Sequence, residues 1–179
     1  MAEEERSAHV YEGQLQGIES LGPGTQFADA VFALVGRSQF FAEFTREDTA
    51  LMSEYMAVYR AQARQTIIHE GDLGDYMLMI IQGEVDIYKK NLLGESQLLT
   101  TVGPGMTLGE MSMIDGEPRF ATCVAVRETL FGVLSRDSMV KIILEKPSLG
   151  AKILIKLVTM LSHRLRQTSA TLLQYMRAR

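Results

Sequence analysis

The chain carries a single cysteine, Cys123, in 179 residues. One thiol excludes an internal disulfide and a cysteine-based metal cluster. Cys123 stands in the apolar run Cys123-Val124-Ala125-Val126, the setting of a buried, inert thiol rather than of a nucleophile. No apolar stretch approaches the roughly 20 residues that cross a bilayer, so no membrane association is expected. Basic charge is not in excess. The 18 Lys and Arg stand against 22 Asp and Glu, for a net charge of -4, which argues against general nucleic-acid binding. Catalytic signatures are also missing. His9, His69 and His163 are scattered, and the adjacent pair His69-Glu70 would point to opposite sides of a strand. There is no Gly-x-Ser-x-Gly elbow, no P-loop and no metal-ligand spacing. We therefore expect no catalytic residue, no metal and no enzymatic activity. The first residues, Met-Ala-Glu-Glu-Glu-Arg, are acidic where a secretion signal is basic. A cytoplasmic, reducing setting is the expectation.

What is present suggests one domain with a real core, since 46% of residues are hydrophobic. Residues 1–26 are polar and end in Gly22-Pro23-Gly24, which reads as a flexible N-terminal arm. The domain proper is expected over 27–179. Phe27, Val31, Leu34 and Val35 have helical spacing, and Phe40, Phe41 and Phe44 form an aromatic cluster. Thr45 can cap a helix to about Met56, with Glu47 and Asp48 favouring its dipole. Residues 57–135 read as short strands cut by glycine turns: 57–63, 66–69, 76–82, 84–90, 97–102, 122–126 and 129–135. Such spacing suggests a barrel or a two-sheet roll, and an antiparallel β-roll, jelly-roll-like, of about eight strands is the expectation. With N-terminal helices and a long C-terminal helix the fold class is α+β.

Residues 108–122 are the most informative stretch. They set a glycine-led turn and a carboxylate, Glu110, nine residues ahead of a guanidinium, Arg119. About one helical turn fits between them. A helix start offers free N–H groups to an anion, and Arg119 adds a charge-assisted grip on phosphate. Glu110 is a natural acceptor for a ribose hydroxyl. The bland alternative is a surface ion pair between two turns, worth about 0–1 kcal/mol. A second segment, 69–88, reads Glu70-Gly71-Asp72, then Asp75, an apolar strand, and Gly83-x-Val85-x-Ile87-Tyr88. Val85 and Ile87 alternate with Asp86 and Tyr88, as in a half-buried strand.

Residues 136–179 are helical in pattern. Ser135 can cap a first helix to about Glu145, with Met139, Ile142 and Ile143 inward, before Lys146-Pro147 breaks it. A second helix runs from about Ser148 to near Arg177. Its apolar seam is heptad-spaced: Ala151, Leu154, Val158, Leu161, Leu165, Thr168, Leu172 and Tyr175. Lys152, Lys156, His163, Arg164, Arg166 and Gln167 fall on the outer face. One helix lying on its own roll is the simple reading. The stripe is too long for that alone, and a parallel two-fold dimer is expected.

Together these segments resemble the cyclic nucleotide-binding domain family. Gly109, Glu110, Met111, Ser112, Met113, Ile114, Pro118, Arg119, Ala121 and Thr122 fit its phosphate-binding cassette. Leu108 replaces an aromatic residue and Phe120 a small one. The run Leu161-Ser162-His163-Arg164-Leu165-Arg166-Gln167-Thr168-Ser169 is similar to the long helix of the family's bacterial cAMP-responsive transcription factors. The resemblance implies a ligand, cAMP or cGMP. Its phosphate would meet Arg119 and the N–H groups of Phe120 and Ala121, and its ribose Glu110 with Gly109 and Met111. Thr168 and Ser169 would reach the base, although Thr168 can equally set coil register. The resemblance also implies a regulatory homodimer that signals through its last helix to an unknown downstream protein, without direct DNA binding, since the chain is not followed by a helix-turn-helix domain. Phe120 leaves two alternatives open: a degenerate fold serving as a dimeric interaction module, or a cyclic dinucleotide sensor.

Overall fold

The computed structural model describes residues 13–177. Among the described residues are nine strands and five α-helices: β1 (Glu19–Pro23), α1 (Ala28–Phe32), α2 (Arg46–Ser53), β2 (Ala57–Ala61), β3 (Thr66–Ile68), β4 (Tyr76–Gln82), β5 (Val85–Lys90), β6 (Ser96–Val102), β7 (Thr107–Leu108), α3 (Glu110–Asp115), β8 (Thr122–Ala125), β9 (Thr129–Ser135), α4 (Arg136–Glu145) and α5 (Pro147–Arg177). The strands form two antiparallel sheets, ordered β1-β2-β9-β4-β7 and β3-β8-β5-β6. Helices α1, α2, α4 and the first half of α5 cover the outer face of the larger sheet. This is the α+β roll expected from the strand spacing, with nine strands rather than about eight.

Strand β4 explains the layering. Its run Tyr76-Met77-Leu78-Met79-Ile80-Ile81 is buried on both faces, so it reads as continuous apolar sequence rather than as alternation. Tyr76, Leu78 and Ile80 point into the roll and join Tyr59, Ile67, Val85, Cys123, Phe131 and Val133. Met77, Met79 and Ile81 point the other way, into the layer under the helices. That second layer is rich in methionine: Met52, Met56, Met77, Met79, Met113, Met139 and Met160. Phe41 packs edge to face with both Phe40 and Phe44 within it, its ring centroid 5.1 Å from that of Phe40. Cys123 is buried in the roll, and burial pushes its thiol up to about 12. The inert cysteine is as expected.

The helix caps are those the sequence marks. Thr45 accepts from the Asp48 N–H while Asp48 bonds back to the Thr45 N–H, a complete capping box. Ser135 accepts from the Ser138 N–H at the start of α4. Pro147 opens α5, where its missing donor costs nothing.

Three expectations need correction. The arm expected over 1–26 joins the fold in its second half. Leu15 and Ile18 are buried in the roll, and Glu19–Pro23 pairs with β2, because those two apolar side chains anchor the segment. Residues 1–12 lie outside the described residues. On α4, Met139 and Ile142 are buried but Ile143 is 37% exposed. On α5, the side chains that seat on the roll are Leu149, Ile153, Leu157 and Met160, a stripe adjacent to the heptad seam. Ala151, Leu154, Val158, Leu165, Thr168 and Leu172 are exposed; Tyr175 is outside the described side chains. Beyond Met160 no described side chain of α5 is buried. That second half extends about 25 Å at 1.5 Å per residue.

Truncating Leu157 (0% exposed) to alanine should cost about 2–5 kcal/mol in urea denaturation, because its cavity opens between α5 and the sheet. A cost under about 1 kcal/mol would refute the seating of α5 on this stripe.

Candidate functional site

The site grows from the turn after β7. Gly109 takes a left-handed conformation (φ 78°) and reverses the chain into α3, which closes on Gly116. Pro118 and Arg119 then carry the chain toward β8. The backbone of Arg119 is pinned to the β3–β4 loop: its N–H donates to the Asp72 carbonyl at 2.7 Å, and its carbonyl accepts from the Gly71 N–H at 2.9 Å. Its side chain turns inward and is only 3% exposed. Nη1 donates to the carbonyls of Tyr76 (2.8 Å) and Gly109 (2.9 Å), and the guanidinium lies 4.2 Å from the centre of the Tyr76 ring. Two glycines give it room. A Cβ on Gly74 or on Gly109 would stand 2.4 Å from a guanidinium nitrogen.

Glu110, the first residue of α3, is 1% exposed. Its Oε1 accepts from Arg164 Nη1, and Arg164 Nη2 donates to the Thr107 carbonyl at 3.1 Å. Arg164 is therefore not on the outer face of α5, where heptad reasoning puts it, but on the cassette. Lys152 and Lys156 likewise turn toward the body, pairing with Asp48 and with Glu43. Burial pushes the Glu110 carboxyl above the usual carboxylate range, while the charges of Arg164 and Arg119 pull it back.

Two buried polar atoms of this cluster lack a partner among the described residues: Glu110 Oε2 and Arg119 Nη2. Each such atom costs about 1–3 kcal/mol if left unmet. One is a spare acceptor and the other a spare donor. They belong to the carboxylate and the guanidinium that the sequence singles out.

Beside them lies a cavity of about 460 Å³, within the usual range for a small-ligand site. Arg119, Phe120, Met111, Ser112, Lys89 and Glu70 are among its lining. The Phe120 ring is 55% exposed and stands at the rim, 4.5 Å below the Lys89 ammonium. It does not fill the space. Of the residues expected to form the site, Arg119, Phe120 and Met111 line the cavity. Gly109, Glu110 and Ala121 are not part of its lining; Glu110 is buried next in sequence to Met111, and Ala121 is buried just before β8. Thr168 and Ser169 are exposed on the free half of α5, one turn beyond Arg164, and are not brought to the cavity. Sequence reasoning missed Lys89, Glu70 and Arg164. For Lys89 a signal was available: it continues the inward alternation of Val85 and Ile87 along β5.

No helix among the described residues is long and apolar enough to cross a membrane. Nor does any group of three or more potential metal ligands occur among them.

Comparison with known proteins bears on the fold and the family. The family model described as a cyclic nucleotide-binding domain matches residues 58–146. The cyclic AMP receptor protein of Thermus thermophilus is 29% identical over 135 residues, covering 75% of this chain and 61% of that protein. A CRP-like cAMP-activated global transcriptional regulator of Mycobacterium tuberculosis is 32% identical over 107 residues, covering 60% of this chain and 46% of that one. The chain thus spans 46–61% of the length of these curated relatives. Among solved structures, a cyclic nucleotide-binding domain from Methylobacillus flagellatus superposes with a TM-score of 0.78 at 37% identity, covering 87% of this chain and 88% of that one.

The raised Glu110 carboxyl has a measurable sign. The folded state holds the proton more tightly than the unfolded chain, so its contribution to stability is full below the unfolded carboxylate pKa and is lost as pH rises through the folded one. The difference in thermal stability between wild type and Glu110→Gln, followed from about pH 4 to 8, should therefore move against the wild type as pH rises. A flat difference curve would reject the burial penalty.

Proposed function

The chain belongs to the cyclic nucleotide-binding domain family, and on that premise we propose that it is a regulatory sensor. It takes a cyclic mononucleotide, cAMP or cGMP, against the cassette and passes the event on through α5. The observation that carries this reading is the pair of unmet buried atoms, Arg119 Nη2 and Glu110 Oε2, in a cassette whose Arg119, Phe120 and Met111 line an open cavity. The phosphate meets Arg119 and the N–H groups of Phe120 and Ala121. The ribose 2′-hydroxyl meets Glu110, with the N–H groups of Gly109 and Met111 beside it. Thr168 and Ser169 reach the base if the free half of α5, or that of a second copy, swings over the mouth; a hydroxyl can both donate to and accept from a purine edge. Each charged hydrogen bond contributes about 1.5–3 kcal/mol. Two or three of them with base burial give about -8 kcal/mol, a micromolar Kd.

Glu110 couples ligand to output. The same carboxylate that accepts the ribose hydroxyl also holds Arg164 of α5. A ligand that redistributes the hydrogen bonds of Glu110 changes the seat of the helix, which is a shift between two packings. The signal then leaves through a homodimer. Leu154, Val158, Leu165 and Leu172 are 40–68% exposed at heptad spacing, and a second copy of α5 covers them. An unidentified protein reads the result, without direct DNA contact by these residues. The alternative of a ligand-free interaction module draws on the same stripe. The open cavity weighs against it.

Calorimetric titration with cAMP and with cGMP should give micromolar binding of at least one. No heat from either at millimolar concentration rejects the sensor reading. In Arg119→Ala the Kd should rise about tenfold to a hundredfold. For the dimer, Leu165→Lys should halve the mass seen in sedimentation equilibrium. An unchanged mass, or a wild type already monomeric at high concentration, rejects α5 as the interface.

A further inference from the structure

The cavity has a second cation. Lys89, near the end of β5, lines it together with Arg119. Its ammonium donates to Glu70 Oε1 at 2.8 Å and to the carbonyl of Phe120 at 2.7 Å. The Phe120 ring covers one side, 4.5 Å from Nζ. Glu70 is itself braced: its Oε2 accepts from the Lys90 N–H, and its own N–H donates to Thr122 Oγ1, both at 3.0 Å. The lysine thus holds a long, flexible side chain in one place, against a cassette carbonyl one residue from Arg119. An ammonium has three donors. Two are used, and the third has no partner among the described residues.

A solvent-exposed ion pair contributes about 0–1 kcal/mol, which does not account for a mostly buried pair whose lysine is clamped from three sides at a cavity wall. Phe120 has no side-chain donor to offer an anion. Arg119 spends Nη1 on two carbonyls and keeps Nη2. A cyclic phosphodiester presents two exocyclic oxygens and one negative charge. We propose that Lys89 is a second phosphate ligand of this cavity, delivering its remaining N–H to one exocyclic oxygen while Arg119 takes the other. The assignment rests on the reading that a cyclic nucleotide occupies the cavity. It also gives the cavity a charge preference. Glu70, Asp115 and Glu117 share the lining, so carboxylates outnumber the two cations, and a ligand with more than one negative charge brings the excess against them.

The test is calorimetry on the full chain with whichever of cAMP and cGMP the wild type binds, comparing Lys89→Met, Lys89→Arg and Glu70→Gln. Lys89→Met should raise the Kd about tenfold or more and make binding less sensitive to added salt. Lys89→Arg should keep most of the affinity. Glu70→Gln should leave affinity equal or better, since it removes a competing anion and releases the ammonium. A lysine that only partners Glu70 predicts the opposite pattern, with Lys89→Met and Glu70→Gln weakening binding alike. That result overturns the proposal, as does a Lys89→Met protein that binds like wild type. Either leaves the role of Arg119 standing. A wild type that binds neither nucleotide overturns the sensor reading and this assignment with it. Should Lys89→Met unfold early, Lys89→Gln titrated at low and high salt serves in its place, and an unchanged Kd and salt response there also overturns the assignment.

Discussion

A buried guanidinium organises this molecule. Arg119 is almost wholly out of water, and a charge in that position is costly unless it is bonded. The chain meets the cost with two carbonyls, one from β4 and one from the turn after β7, and with the face of Tyr76. Each partner constrains a different element. The carbonyl of Tyr76 fixes β4 against the cassette. The carbonyl of Gly109 fixes the turn that launches α3. Glycines at 74 and 109 follow from the same arginine, since a side chain at either would occupy its space. One nitrogen, Nη2, is left without a hydrogen-bond partner among the described residues.

Glu110 stands in the complementary position. It is buried, raised in pKa by its surroundings, and shared between the interior of the cassette and a residue of α5. The helix is consequently tied to the cassette by electrostatics and to the sheet by apolar contact at Leu149, Ile153, Leu157 and Met160. The two attachments differ in kind. Apolar seating depends on shape and area, whereas the Glu110–Arg164 contact depends on the hydrogen bonds and charge around one buried carboxylate.

Much of the fold was legible because the local chemistry and the tertiary structure agree. Thr45 and Ser135 cap the helices they precede, and the strands between glycine turns run where alternation puts them. The misses have physical causes. Glu19–Pro23 contains Gly22 and Pro23, which speak for a turn; its strand is imposed by pairing with β2 and by the burial of Leu15 and Ile18. Thr107–Leu108 is too short to carry a period. On α5 two apolar stripes run side by side, and spacing alone does not say which one faces the protein's own sheet. That ambiguity moved Arg164 to the wrong face. In the cassette, Arg119 and Glu110 were readable from their order and spacing. The alternation of Val85, Ile87 and Lys89 along β5 marks the lysine as inward, but its contacts with Glu70 and Phe120 arise from segments far apart in sequence.

The two apolar layers differ in the shapes that fill them. Inside the roll stand rings and branched chains, Tyr59, Tyr76, Phe131, Ile67, Val133, whose torsions are few and whose volumes interlock. Between sheet and helices stand unbranched thioethers, with Met160 of α5 touching Thr107 Oγ1 at 3.6 Å just behind the cassette. Such side chains refill a distorted gap by rotating single bonds. The helical layer is therefore the more deformable of the two, and the roll beneath it the stiffer.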